Sequence, residues 1–111
     1  MAVAEETPLA GFQKKYLRGR AHGLKPVVMV GQKGASPALF ASIETALTDH
    51  ELIKIRFVDH KDHAAKEQII AAIADRTGAR IAGTIGHTAV FFRPHPDPDK
   101  RRIDLPRKNP A

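Results

Sequence analysis

Segments with a helical apolar period alternate along this chain with short segments of strand character, and glycine or proline marks most of the boundaries. That alternation constrains the fold more than any single residue does. Thr7-Pro8 reads as a helix entry, with Thr as cap and Pro in the first turn, and the helix is expected from about Leu9 to His22 with Gly23 as its stop. Leu9, Phe12, Tyr16, Leu17 and Ala21 give it an uneven apolar side. Gly11 and Gly19 each weaken it by up to about 1 kcal/mol relative to alanine, so it needs tertiary packing to persist. Pro26 to Val30 reads as a short, continuously apolar, buried strand. Ser36-Pro37 then opens a second helix, whose stripe of Leu39, Phe40, Ile43, Ala46 and Leu47 runs to about His50.

Leu52 to Val58 alternates, with Ile53, Ile55 and Phe57 on one side and Lys54 and Arg56 on the other, as a half-buried strand does. Asp62 caps a third helix with Ala65, Ile69, Ala72 and Ile73 inward, closed by Gly78. Arg80 to Ile85 and Thr88 to Arg93 are two more strands, joined by a Gly86-His87 hairpin turn. The order α-β-α-β-α-β-β predicts an α/β fold of the two-layer α+β kind: one four-stranded mixed sheet with helices packed on it. Residues 9–94 would form this single domain, after a flexible stretch at 1–8. Residues 95–111 are too rich in proline and charge for regular structure, and Ile103 and Leu105 are their expected anchors.

With 111 residues and no cysteine, the chain is expected to rely on a modest apolar core, without disulfides or thiolate metal sites. Residues 1–10 carry Glu5 and Glu6 and show no secretory signal, and no apolar run approaches the roughly 20 residues of a membrane span. A soluble, cytoplasmic monomer is the expectation. Charge is more informative. Eighteen Lys and Arg against 12 Asp and Glu give a net +6, unevenly spread. Leu9 to Ala35 holds six basic residues and no acid, the middle is balanced, and the last twelve residues hold five basic and one acidic. Segregated positive charge is the footprint of a polyanion partner. Lys14, Arg18 and His22 share one face of the first helix, with Lys15 and Lys25 beside it.

Gly31-Gln32-Lys33-Gly34 stands between the first strand and the second helix. A tight turn accounts for its glycines. A phosphate clamp accounts for the glycines, Lys33 and the helix start together, because free helix N–H groups and the positive dipole end attract an anion. The loop lacks the spacing of a Walker loop and the first Gly-x-Gly of a dinucleotide fingerprint. His60 and His63 lie near Asp59 and Asp62, yet Asp62 is better used as a cap and no third ligand is paired with them, so no metal is expected. His50 closes a helix, where its side chain meets the dipole. No nucleophile–base or paired-carboxylate arrangement can be read, so neither an enzyme nor a cofactor is expected. Aromatics are scarce, with no Trp, one Tyr and five Phe. Phe40 and Phe57 read as core, leaving Tyr16, Phe91 or Phe92 as partly exposed candidates for stacking, and recognition of a polyanion is expected to go through its backbone and shape, by Lys, Arg and a helix N-terminus.

Leu24-Lys25-Pro26, Val30-Gly31-Gln32-Lys33-Gly34, Ile43, Ala46-Leu47, His50-Glu51-Leu52-Ile53-Lys54, Thr77-Gly78, Gly86, Phe92-Arg93 and Ile103-Asp104-Leu105-Pro106 follow in order. Over residues 9 to 107 the chain resembles the CRM domain family in its stand-alone bacterial YhbY form. Phe92 stands where the family commonly has Tyr, and the Pro-Asp-Lys insertion before Ile103 is absent from the shortest members. The resemblance implies an RNA-binding domain similar in fold to the C-terminal domain of translation initiation factor 3. It further implies association with precursors of the large ribosomal subunit, with the Gly-x-x-Gly loop at Gly31 to Gly34.

The leading reading is a non-enzymatic protein that binds ribosomal RNA and assists large-subunit assembly. Gly31, Gln32, Lys33 and Gly34 would contact the backbone, with Lys14, Lys15, Arg18, His22 and Lys25 neutralising phosphates. Lys54 and Arg56 would extend that surface, and Lys100 to Arg102 would be a second, disordered contact. Two other readings are an adaptor docking acidic proteins and an enzyme binding a phosphate ligand through the same loop.

Overall fold

A computed structural model describes residues 9–32, 34–58 and 62–107. In chain order the elements are α1 (Gly11–Ala21), β1 (Val28–Val30), α2 (Pro37–His50), β2 (Leu52–Phe57), α3 (His63–Thr77), β3 (Arg80–Ile85) and β4 (Thr88–Phe92). A single turn of 3₁₀ helix follows at Pro98–Lys100. The strands form one sheet in the order β1-β2-β4-β3. β1 runs parallel to β2, with Val28 opposite Ile55, and the two remaining pairings are antiparallel. The parallel pair needs a crossover, and α2 supplies it.

The local signals explain most boundaries. Ser36 Oγ accepts the Leu39 N–H at 3.1 Å and starts α2. Asp62 accepts the Ala65 N–H at 2.8 Å and starts α3, which ends at Gly78 in the left-handed conformation (φ 73°). Gly86, at φ 58°, turns β3 into β4. The start of α1 differs from expectation. Thr7, its expected cap, lies outside the described residues. The helix begins at Gly11 because Ala10 is extended and Gln13 reaches back to accept its N–H at 2.9 Å.

Two apolar clusters lie on opposite faces of the sheet, as the period of two requires. On one face, Ile53, Ile55, Phe57, Ala89 and Phe91 pack with Leu39, Ile43 and Leu47 of α2 and with Ile69, Ile70 and Ile73 of α3. On the other, Leu52, Ala82, Val90 and Phe92 pack with Leu17 and Ala21 of α1, and with Leu9 and Ile103. Helices therefore cover both faces, and the expected two layers become three. Phe91 and Phe92 are both buried, contrary to the expectation of partial exposure, because each points into a different cluster. β1 also departs from the buried strand expected of Pro26 to Val30. It is an edge strand of alternating burial, with Met29 54% exposed and the preceding Val27 49% exposed.

Residues beyond β4 are held by Glu51, which follows the last residue of α2. Its side chain is buried, with the residue 2% exposed. One carboxylate oxygen accepts the His95 N–H at 2.8 Å, and the other accepts those of Arg102 at 2.7 Å and Ile103 at 3.2 Å. The Glu51 carbonyl also accepts the Arg93 N–H at 2.8 Å. Its backbone sits at φ 63°, ψ −45°, outside the ordinary left-handed basin and costly for a residue with a Cβ. The reading of Lys100 to Arg102 as a disordered contact is corrected by these bonds, and by a 2.7 Å bond from Arg101 Nε to the His95 carbonyl. Ile103 is buried in the α1-side cluster and Leu105 packs against it.

Candidate nucleic-acid interface

The loop after β1 closes on itself: the Gly34 N–H donates to the Gly31 carbonyl at 3.1 Å. Gly34 has φ 59°, a conformation that glycine adopts without the steric penalty of a Cβ. A Cβ built on Gly31 would meet nothing within 4 Å, so this side of the loop is open to an approaching backbone. α2 starts three residues after Gly34, with the Ser36 side chain accepting the Leu39 N–H and the Ser36 carbonyl accepting that of Phe40, both at 3.1 Å. Pro37, at the first position, has no N–H, so Ala38 supplies the remaining amide of that turn. Gln32 is exposed. Lys33 lies outside the described residues. A hollow of about 560 Å³ runs from the loop along the sheet edge, lined among others by Val27, Met29, Gly31, Gln32, Ser36 and Leu39.

The other expected contact residues separate into two groups. Arg56 joins the loop: it is exposed and opposite Met29 in the β1–β2 register, two residues before Gly31. Lys54, one turn of the pleat earlier, is half-buried. Its Nζ donates to the carbonyls of Leu24 at 3.0 Å and His22 at 3.4 Å, so it clasps the end of α1, where helix carbonyls favour a cation.

α1 lies elsewhere. It packs across β3, β2 and β4, whereas the loop follows β1 at the opposite edge. Lys15 and His22 are exposed and Lys14 is half-exposed on this helix. Arg18 is spent on the fold: Nη1 donates to the Ala82 carbonyl at 2.9 Å, and the side chain occupies the space above Gly83. A Cβ at Gly83 would lie 2.7 Å from Arg18 Cδ. The expected continuous face of Lys14, Arg18 and His22 is therefore interrupted at its centre by a docked guanidinium. Lys25 is exposed on the segment leading into β1, closer in sequence to the loop's own strand.

Sequence reasoning missed the exposed apolar strip of Leu24, Val27, Met29 and Val58. A run of four apolar residues carries no sign of which strand will be at an edge. It also missed Glu51, whose one sequence signal is an acid placed where a helix passes into a strand without a loop. Elsewhere, Glu44 and Arg93 form a two-pronged ion pair at 2.8 and 2.6 Å. The Arg93 hydrogen bond holds the Glu44 carboxyl below the usual carboxylate range. Asp59 and His60, weighed above as metal ligands, are outside the described residues. Among those described, no three His, Cys, Asp or Glu side chains are grouped to hold a metal, and no helix is long and apolar enough to cross a membrane.

A four-stranded mixed sheet that presents a Gly-x-x-Gly turn between its edge strand and a capped helix defines a small class of α/β domains. Residues 9–93 match the CRS1 / YhbY (CRM) domain, and the chain belongs to that family. It is 45% identical over 102 residues to an "RNA-binding protein" of Haemophilus influenzae, covering 92% of this chain and 99% of the other. It is 31% identical over 98 residues to the "Probable RNA-binding protein YqeI" of Bacillus subtilis, covering 88% and 99%. The solution structure of hypothetical protein SAV1595 from Staphylococcus aureus superposes with a TM-score of 0.75 at 28% identity, covering 88% of this chain and 99% of that one.

Proposed function

We propose that this chain is a non-enzymatic, cytoplasmic RNA-binding protein that works as a monomer on ribosomal RNA and assists assembly of the large subunit. The carrying observation is the Gly31–Gly34 turn, closed by its own hydrogen bond and open on the Gly31 side, at the N-terminus of a capped helix. Such a turn lets a sugar–phosphate backbone come close to amides without meeting a side chain. Lys33 and Arg56 supply charge beside it. The names of the relatives support RNA as the polyanion, and the resemblance to stand-alone family members supports the large-subunit precursor.

Titration of RNA binding against salt tests the electrostatic part. Contact with about five phosphates gives a slope of log K on log salt near −3.5 for single strands and −4.5 for duplex. Replacing Gln32 and Lys33 together by Asp is expected to abolish most of this binding, and unchanged affinity would remove the loop from the interface. Crosslinking in cells, followed by sequencing of the attached RNA, tests the ribosomal assignment. The exposed apolar strip at Met29 and Val58 favours one other reading, an adaptor for a protein partner. Association with ribosomal particles that survives complete RNA digestion would select it.

A further inference from the structure

A second hollow, of about 400 Å³, lies at the other end of β1 from the Gly-x-x-Gly loop. Its walls are apolar: Leu24 and Val27 are 43% and 49% exposed at its sides, with Leu52, Ile53 and Ile103 buried behind them. Its remaining lining residues are Arg20, Lys25, His50 and Arg102, and no carboxylate is among them. The nearby acid, Glu51, is buried with both carboxylate oxygens engaged by backbone N–H groups and is not among the lining residues. Arg102 reaches the rim because its own N–H is one of those held by Glu51. Arg20 is steadied by Tyr16, whose ring centroid is 6.0 Å from the guanidinium carbon.

We propose that this hollow receives one unstacked nucleobase of a bound RNA chain, with the cationic rim holding the flanking phosphates. The inference rests on the reading of the chain as an RNA binder and adds a site to it. Three observations single out this occupant. The size suits a small planar group and falls in the range of ligand pockets. An apolar interior under an all-basic rim matches a base joined to a polyanion, and guanidinium groups can stack on bases where aromatics are missing. Val27 lines both this hollow and the one beside Gly31, so a strand of RNA gripped at the loop can continue along the sheet edge into it. The two ends are separated by about 13 Å of extended chain.

The test compares a short single-stranded RNA with the same backbone made abasic, by fluorescence anisotropy. The wild-type protein is expected to prefer the intact strand by roughly tenfold. Leu24→Gln, an exposed and uncharged change checked for folding by its thermal melt, is expected to erase that preference while binding the abasic strand as before. The loop double variant at Gln32 and Lys33 is expected to weaken both strands together and keep their ratio. Methyl resonances of Leu24, Val27 and Ile53 should shift with the intact strand and stay in place with the abasic one.

Equal binding of the two strands by the wild-type protein, or a preference that survives Leu24→Gln, overturns the pocket and leaves the loop reading intact. Absence of binding to either strand instead removes the RNA reading itself. Uridine monophosphate filling the hollow as tightly as the RNA does would make it a free-nucleotide site, and a poly-glutamate peptide shifting those methyls in place of RNA would make it a protein-docking site. Either outcome overturns the proposal.

Discussion

The two faces of the sheet are held by different physics. Beneath α2 and α3, a broad cluster of Ile, Leu and Phe side chains excludes water, and stability follows from area buried. Beneath α1 the apolar cluster is smaller, and polar contacts between distant parts of the chain complete it. Gln13 donates to the Pro106 carbonyl at 2.9 Å, Arg18 to that of Ala82, Lys54 to that of Leu24, and Glu51 gathers three amides from residues 95–103. One face is closed by composition and the other by individual partners. Substitutions should therefore be felt globally on the first face and segment by segment on the second.

The strongest break in that contrast is expected from Ile43→Ala. Ile43 is fully buried between α2 and the sheet, and its truncation should cost about 2–5 kcal/mol in urea unfolding, with every probe reporting the same transition. Glu51→Ala comes next, at about 3 kcal/mol, since three buried or half-buried N–H groups lose a charged acceptor. Its signature is local: hydrogen exchange should accelerate at residues 93–103 while amides of β2 and β4 stay protected. Uniform acceleration across the sheet would erase the distinction between the faces.

The smallest effect belongs to Glu44, whose ion pair with Arg93 clasps α2 to the end of β4. Its folded-state acidity is strengthened, so its contribution is present above the unfolded carboxylate range near pH 4.3. That contribution disappears as pH falls through the lower folded value. Because Glu44 is half exposed, the amount is about 1 kcal/mol or less. Thermal melts between neutral pH and pH 2.5 should show a drop in the wild-type protein that Glu44→Gln reduces by this share.

The same contrast explains what could be read beforehand. α2, α3 and the hairpin were legible because their signals are local: Ser36 and Asp62 cap, Gly78 and Gly86 take positive φ, and isoleucines repeat at helical spacing. The Gly31–Gly34 loop was legible for the same reason. The placement of α1 was not, because its decisive contacts join residues dozens of positions apart. Nothing around Arg18 announces that Gly83 leaves room for it, so a basic helical face looked free when its middle member was docked. The exposure of Met29 was hidden likewise, since an edge strand and a central one can share the sequence Val-Met-Val.

The shortness of β1 has a consequence for solubility. A sheet edge with outward apolar residues can recruit strands from neighbouring molecules and grow into aggregates. Here the edge offers only Val28 to Val30 before the chain turns away, with Pro26 ahead of it and Gly31 behind. A foreign strand would find too few backbone partners to add productively, while the same three residues still leave the groove open. This margin can thus stay exposed and sticky for use while being too short to serve as a template for strand addition.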